Sequence, residues 1–544
     1  MDLFSEDERR VAEAVAGIAF GNPFLPERIA LEKQALGLKF VAAGDVIVVR
    51  DGASYDELFP NVRELHRLAK ALTADARQRL RSGHGVPEHD RSLYEDLVCY
   101  VLYNRHLSLV NEPIRKAMGS PRWGGPGEGW PAFRADFDSY FEIPGRTLLT
   151  RHRPEHLFAV FFQIARAFHA IFENFVGGSK PTSQLRAAVW QSIFTHDLRR
   201  YMRALYHHMV DIPTLITGPS GSGKELVARA VGQSLYTEFN PGKKGFAENR
   251  YSALNLSAFA PTLVEAELFG TVRGAFSGAT DRAGWLEECG CPGPDRVNAI
   301  FLDEIGELDE AIQVKLLRVL QDRSFSRVGE TSKVPRKFQG KVIAATNRDL
   351  AAAMCAGRFR PDFYYRLCAD VIMTPALGDQ LADRPEDLPD IVRYIIKRRV
   401  LRSESAGSEP LADEEIKSLL DEVVAWIGRH LKGAYPWPGN FRELEQCVRN
   451  LMIRNHYQPP GSAEPVAAVE AVEAFLGEVR DGSLTSAGLL GKYYAWVLSR
   501  TGTYVAASKQ LGVDWRVVRK RIDLNFLQLL SKATGSASPS QSRA

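Results

Sequence analysis

The sequence has no apolar run approaching the ~20 residues a helix needs to cross a bilayer, which excludes a helical membrane protein. It also has no basic, apolar leader. Met1-Asp2-Leu3-Phe4-Ser5-Glu6-Asp7-Glu8 is acidic where a signal peptide is basic, so a cytoplasmic location is expected. Cysteine is scarce. Six are scattered through 544 residues (Cys99, Cys289, Cys291, Cys355, Cys368, Cys447), and the one close pair, Cys289-Gly290-Cys291, lacks a second pair or flanking histidines to complete a zinc site. Reduced, structural thiols are expected. Internal repeats are absent, and so is a large charge imbalance, with 69 basic against 66 acidic residues.

What is present is an ordinary globular composition, 45% apolar and 25% charged, on a chain too long for one core; two to four domains are expected. The net charge of +3 is localised. Between Thr503 and Phe526, Lys509, Arg516, Arg519, Lys520 and Arg521 face only Asp514 and Asp523, a surplus equal to that of the whole chain. A local basic excess on a short helical segment is the footprint of a nucleic-acid contact.

Residues 1–185 read as a separate, mainly helical region, with helical patterns over Asn61–Arg81 and His156–Phe175. One short strand is expected at Asp45–Val49, and the Gly/Pro-rich stretch Gly119–Pro131 reads as a long loop. From 186 to 400 apolar strands alternate with amphipathic helices, the pattern of a parallel sheet covered by helices. A solvated loop, Ser403–Pro410, leads into a helical block over 401–460. A linker is expected over 461–482, a last helical unit over 483–532, and a small-residue tail over 533–544.

The chemistry begins at Thr214-Leu215-Ile216-Thr217, an apolar strand running into Gly218-Pro219-Ser220-Gly221-Ser222-Gly223-Lys224-Glu225 and then a helix. Gly218, Gly221 and Gly223 let successive backbone N–H groups turn around a phosphate, Ser222 adds to that wall, and Lys224 reaches the outer phosphate oxygens. Glu225 stands where the strict pattern has Ser or Thr for magnesium, and a plain Gly-rich turn is the alternative. Ala299-Ile300-Phe301-Leu302-Asp303-Glu304 is a second apolar strand ending in two carboxylates, costly unless a cation or a water uses them. Asp303 suits magnesium and Glu304 suits polarising a water. A third strand, Val342–Asn347, ends in a polar pair placed to sense the terminal phosphate through Asn347. Together these three strand ends point to an ATPase using ATP and Mg2+.

The resemblance to a known family rests on Gly274-Ala275-Phe276-Ser277-Gly278-Ala279, just after Glu267-Leu268-Phe269-Gly270. It resembles the GAFTGA loop of sigma-54-dependent transcription activators, AAA+ proteins that engage the sigma factor with that loop. Glu225 after the lysine is also that family's usual residue, and the likeness runs from about Trp190 to Asn450. It implies that Asn255 is a switch residue pairing with Glu304, and that Gly357–Leu367 carries arginine fingers, Arg360 and Arg366. It also implies that Trp437–Leu444 is the lid's sensor motif, with Arg442 on the phosphates. Ser277 departs from the family threonine, keeping the hydroxyl and losing a methyl. Cys289–Asn298 is longer than the family's segment, and Leu381–Arg384 reads as inserted.

The resemblance implies a P-loop AAA+ α/β core over 186–400 with the helical lid over 401–460. Residues 483–532 resemble a Fis-type helix-turn-helix, with Arg516, Arg519 and Lys520 facing the DNA. A basic helical pair that only dimerises is the alternative there. The implied partners are sigma-54 RNA polymerase holoenzyme, double-stranded DNA and further copies of the chain in a ring, a hexamer built from dimers. An AAA+ module that only oligomerises, and a remodeller of another protein, are the rival readings. Residues 1–185 imply a sensory role of unassigned type, since Asp45 and Asp51 do not form a phosphoreceiver's acidic cluster.

Overall fold

A computed structural model describes residues 2–42, 47, 59–82, 86–117, 122–123, 127–143, 146–147, 152–290, 296–331, 334–400, 412–431, 435–459, 474–527 and 530. The expected loop Ser403–Pro410 and tail 533–544 lie outside these residues, as do Cys291, most of the 461–482 linker and all of the expected strand Asp45–Val49 except Ile47. The chain forms two compact units, Met1–Val448 and Arg449–Ala544. Among the described residues no helix is long and apolar enough to cross a membrane.

The first unit is built on a six-stranded sheet: β1 (Arg122–Trp123), β2 (Thr214–Thr217), β3 (Glu248–Asn255), β4 (Arg296–Asp303), β5 (Lys341–Thr346) and β6 (Asp370–Met373). The spatial order is β1-β3-β4-β5-β2-β6. β2 to β6 are parallel, and β1 joins the free edge of β3 in the antiparallel sense. The register sets Asp303 beside Asn255 and Thr346 beside Thr217, so the polar residues ending each strand gather along one edge of the sheet. That edge, outside the carboxyl ends of parallel strands, is where open α/β sheets hold ligands.

The near-continuous apolar runs of β4 and β5 follow from burial on both faces. The two-residue alternation divides them between two cores. Leu215, Ile300, Leu302, Val342 and Ala344 pack under the helices Pro261–Phe269, Glu310–Asp322 and Pro361–Leu367. Ile216, Phe301, Ile343, Ala345 and Ile372 enter a core that also holds Leu3, Leu65, Leu97, Phe158 and Trp190. The first third of the chain is therefore continuous in packing with the sheet. Residue 185 falls inside the helix Lys180–Phe194, so that packing has no break there.

The helices read from periodicity are present as Val62–Arg81 and Pro154–Asn174. The 30-residue helix Glu88–Ala117 was not read from the sequence, because Leu97 to Leu102 is buried without interruption and shows no polar stripe. The Gly119–Pro131 stretch differs from a plain loop. Its Arg122–Trp123 supplies the pairing that the edge of β3 would otherwise lack, and the helix Trp130–Phe141 starts within it.

In the second unit residues 474–480 are helical and Phe475 lies against Phe526, so part of the expected linker belongs to the terminal core. Ser486–Thr501, Tyr504–Leu511 and Trp515–Arg521 follow, closed by left-handed glycines at Gly502 (φ 72°) and Gly512 (φ 67°). Thr503 and Asp514 cap the last two helices, each accepting a backbone N–H. Ala507 and Val518 are fully buried where those helices cross.

Candidate functional site

The loop after β2 is shaped by three glycines with positive φ: Gly218 (143°), Gly221 (74°) and Gly223 (93°). Gly223 stands at the N-terminus of the helix Lys224–Gln233, whose unpaired N–H groups and dipole favour an anion. Lys224 Nζ donates to the carbonyls of Gly218 (3.1 Å) and Pro219 (3.2 Å), which folds the ammonium into the loop. Burial pulls its pKa down, and Glu304 and Asp303 oppose that shift. Ser222 Oγ donates to Pro219 O at 2.7 Å and lies 2.6 Å from Thr374 Oγ1 on the segment leaving β6.

Asp303 and Glu304 end β4 opposite this loop. Burial pushes both carboxyls up from their ordinary range, and for Glu304 the neighbouring Asp303 charge adds to it. Glu304 sits in the left-handed region (φ 57°, ψ 45°), and among the described residues its buried Oε2 has no hydrogen-bond partner. Two desolvated carboxylates and an orphaned buried oxygen, facing a lysine, form a donor set that fits a hard divalent cation and a polarised water. Asn347, after β5, is exposed and offers its backbone N–H to Glu304.

Asn255 is brought beside Asp303, but its Oδ1 accepts from Ser257 N (3.0 Å) and Ser257 Oγ (2.7 Å), and no hydrogen bond joins it to Glu304 among the described residues. Glu225 lines the cleft with its carboxylate 3.0 Å from Arg229 on the next helical turn. Arg360 is held by Asp362 (2.8 Å) and Glu310 (2.9 Å), and Arg366 Nε lies 3.4 Å from Leu320 O. Neither arginine lines the cleft formed by its own chain.

The lid closes over the loop through residues that sequence reasoning only partly named. Arg442 Nη1 lies 3.3 Å from Ser220 Oγ, and Phe441 N donates to Gly221 O at 3.1 Å. Asn440, missed as a functional residue, donates to Ser220 O (2.9 Å) and accepts from Leu377 N (2.8 Å). Its signal was the Gly439-Asn440 turn, where Asn440 has φ 53°. A Cβ at Gly221 would lie 2.4 Å from Gly439 O, so lid and loop approach this closely only with glycine there. The cleft between them has about 200 Å³ of free space. Its apolar wall comes from Phe175, Val176, Leu185, Ile391 and Ile395, part of it from the first third of the chain.

The Gly274–Ala279 loop rises from a hairpin, Gly270–Thr271 against Arg282–Ala283. Gly274 and Gly278 have φ of 87° and 84°, and turns at Ala275 N to Val272 O and Ala279 N to Phe276 O form its tip. Phe276 is 48% exposed there, and Ser277 is exposed. The segment after Phe325 is tied to the hairpin base by Val328 N to Gly270 O (2.9 Å) and Val272 N to Val328 O (3.2 Å). Glu287 accepts from Arg327 (2.7 Å) and pairs with Arg336 (3.2 Å), so the two loops are held together at their base.

Residues 192–373 match the family described as the sigma-54 interaction domain. The phosphate loop, the Asp303-Glu304 pair and the Phe276 loop all fall within this matched segment. Similar proteins include the DNA-binding transcriptional regulator NtrC of Rhizobium meliloti, 37% identical over 267 residues, 49% of this chain and 46% of that one. The sigma54-dependent transcriptional regulator SfnR of Pseudomonas fluorescens is 39% identical over 241 residues, 44% of this chain and 56% of that one. NtrC of Azospirillum brasilense is 34% identical over 345 residues, 57% and 64% of the two chains. The chain thus spans about half of the length of the curated relatives it matches.

In the second unit Arg516, Arg519 and Lys520 are all exposed on the helix Trp515–Arg521, with Val518 turned into the core.

Proposed function

We propose that this chain is a sigma-54-dependent transcription activator that hydrolyses ATP to convert a closed RNA polymerase–promoter complex into an open one. The observation that carries this reading is Phe276. Its large apolar side chain is held half exposed at a glycine-hinged tip, within the Gly274–Ala279 loop that resembles the family's sigma-contacting motif, and that combination supports an interaction role.

Nucleotide binds in the cleft between phosphate loop and lid, with phosphates on the Gly218–Lys224 loop and the base against Phe175, Val176 and Ile391. Asp303 holds Mg2+, which neutralises charge on the phosphates when bound. Glu304 orients and polarises the attacking water, Asn347 reports the terminal phosphate, and Arg442 joins from the lid. Arg360 and Arg366, which do not line their own cleft, serve the neighbouring copy in a ring, a hexamer assembled from dimers. Asn255 leaves Ser257 for Glu304 when the terminal phosphate is present, and that exchange moves the Gly274–Ala279 loop against sigma-54. Arg516, Arg519 and Lys520 hold upstream DNA, and the site of action is the cytoplasm.

Subunit mixing tests the shared site. Lys224→Ala and Arg366→Ala are each expected to be inactive alone, and an equimolar mixture is expected to recover hydrolysis where an intact loop meets an intact finger. A mixture as inactive as its parts contradicts the trans arrangement.

A further inference from the structure

The helix Trp515–Arg521 carries one aromatic side chain, and it stands outside the core. Trp515 is 40% exposed and is not among the residues packed against the terminal core, which takes Val518 from the same helix. At ~100° per residue, Trp515, Arg519, Arg516 and Lys520 fall within one arc of ~140°, and Val518 lies outside it. All four are exposed. The guanidinium of Arg516 stands 5.7 Å from the centre of the indole ring, close enough for a cation–π attraction that keeps the indole beside the basic row.

A lone exposed apolar residue is ordinary on a protein surface. The setting of Trp515 is what gives it meaning. It opens the second of two helices joined by the Gly512 turn, the arrangement in which the second helix lies in the major groove with its first residues against base edges. Cations on that face meet phosphates, which fix register without reading sequence. An indole forms no ion pair with a phosphate, so its contribution falls on the bases. In the major groove guanine presents two acceptors, N7 and O6, and cytosine a donor, its 4-amino group. Adenine presents an acceptor beside a donor, and thymine an acceptor, O4, beside an apolar methyl group. The indole has one donor, Nε1–H, no acceptor, and an apolar ring. Against cytosine a donor would face a donor. Against adenine the amino group goes unanswered, and against guanine the second acceptor does. Thymine alone answers both parts of the side chain.

We propose that Trp515 specifies a T·A base pair in the DNA site of this chain, with its ring packed on the thymine methyl group and its Nε1–H donated to O4. The proposal rests on the DNA-binding reading of the second unit. It adds a reader of sequence to the three cations that hold the helix on the duplex.

Selection of the full chain on a randomised double-stranded DNA library, followed by fluorescence anisotropy on the selected duplex, tests this. Wild type is expected to select sites with thymine fixed at one position that Trp515→Ala leaves open, the rest of the site being common to both. Deoxyuridine at that position removes only the methyl group. It is expected to weaken wild-type binding at least about fivefold, the low end of what one good base contact gives, and to leave Trp515→Ala binding unchanged. Trp515→Phe, which keeps a ring and loses the donor, is expected to retain the deoxyuridine penalty and to bind the thymine site more weakly than wild type. Because Trp515 lies off the core, all variants are expected to keep native circular dichroism. A Trp515→Ala site identical to the wild-type one, or a lost preference for a base other than thymine, overturns the proposal. So does a deoxyuridine penalty that is absent from wild type or equal in Trp515→Ala. Trp515→Phe binding as tightly as wild type overturns the hydrogen bond to O4. Retention of DNA with no selected sequence overturns the base reader alone, whereas failure to retain any duplex at low salt overturns the DNA-binding reading beneath it.

Discussion

At the scale of single residues, the nucleotide site keeps groups in states that folding alone does not favour. Asp303 and Glu304 have carboxyls raised by burial. A carboxyl raised in the folded state contributes stability that is complete below its unfolded pKa and is lost as pH rises through the folded one. At neutral pH the ionised pair therefore weakens the ligand-free protein. Glu304→Gln is expected to raise its melting temperature by about 1–2 °C while slowing hydrolysis about 10²- to 10⁴-fold and leaving ATP binding intact. Calorimetry and a phosphate-release assay check this. Because Glu304 must be ionised to act, wild-type hydrolysis is expected to fall on acidification at a pH above the ordinary carboxylate range. A pH–rate profile with its acid limb at an unshifted glutamate value contradicts the assignment.

At the scale of elements, the junction between the first third and the helical segment that follows β6 is built on buried polar contacts. Asp387, at the start of the helix Leu388–Ile395, is 2% exposed and accepts from Gly178 N (2.7 Å) and Ser179 N (2.9 Å). Its charge also offsets the fully buried Arg186, which donates to the carbonyls of Phe175 and Gly177. The residues that read as an insertion take part: Asp383 accepts from Lys180 N, and Arg384 pairs with Asp387 at 3.1 Å. Asp387→Ala is expected to cost about 2–4 kcal/mol in chemical denaturation, since it strands two amides and a buried cation. It is also expected to weaken ATP binding, because Phe175 and Val176 of the cleft lie next to these contacts.

Much of this level was legible in the sequence. Strands that end in Gly-Pro-Ser-Gly-Ser-Gly-Lys, Asp-Glu and Thr-Asn carry their chemistry in local residue order, and the sheet register then gathers them. The helix Glu88–Ala117 was not legible, because burial on many sides erases the polar stripe that periodicity detects, whereas Trp130–Phe141 does carry an apolar stripe (Phe133, Phe137, Tyr140, Phe141) and was hidden by the Gly/Pro-rich stretch in which it starts. The engagement of Asn255 with Ser257 was not legible either, since a switch has two partners and a sequence does not say which one holds it.

At the scale of the molecule, residues 1–185 are not an appendage. They share a core with one face of the ATPase sheet, so a chain starting at residue 186 is expected to expose that face and aggregate. Residues 1–459 retain the whole first unit and are expected to fold and bind ATP while losing DNA binding, read by thermal melts and gel shift. Removing the first third is therefore a poor test of regulation, and substitutions within the folded chain are the better one.

The central claim is that hydrolysis is coupled to promoter opening through the Gly274–Ala279 loop. The most direct test compares wild type with Phe276→Ala for ATP hydrolysis and for open-complex formation by purified sigma-54 polymerase, with ATP present in both. The expected result is hydrolysis within about twofold of wild type together with loss of opening. Normal opening by Phe276→Ala contradicts the account and leaves an ATPase that acts on another client.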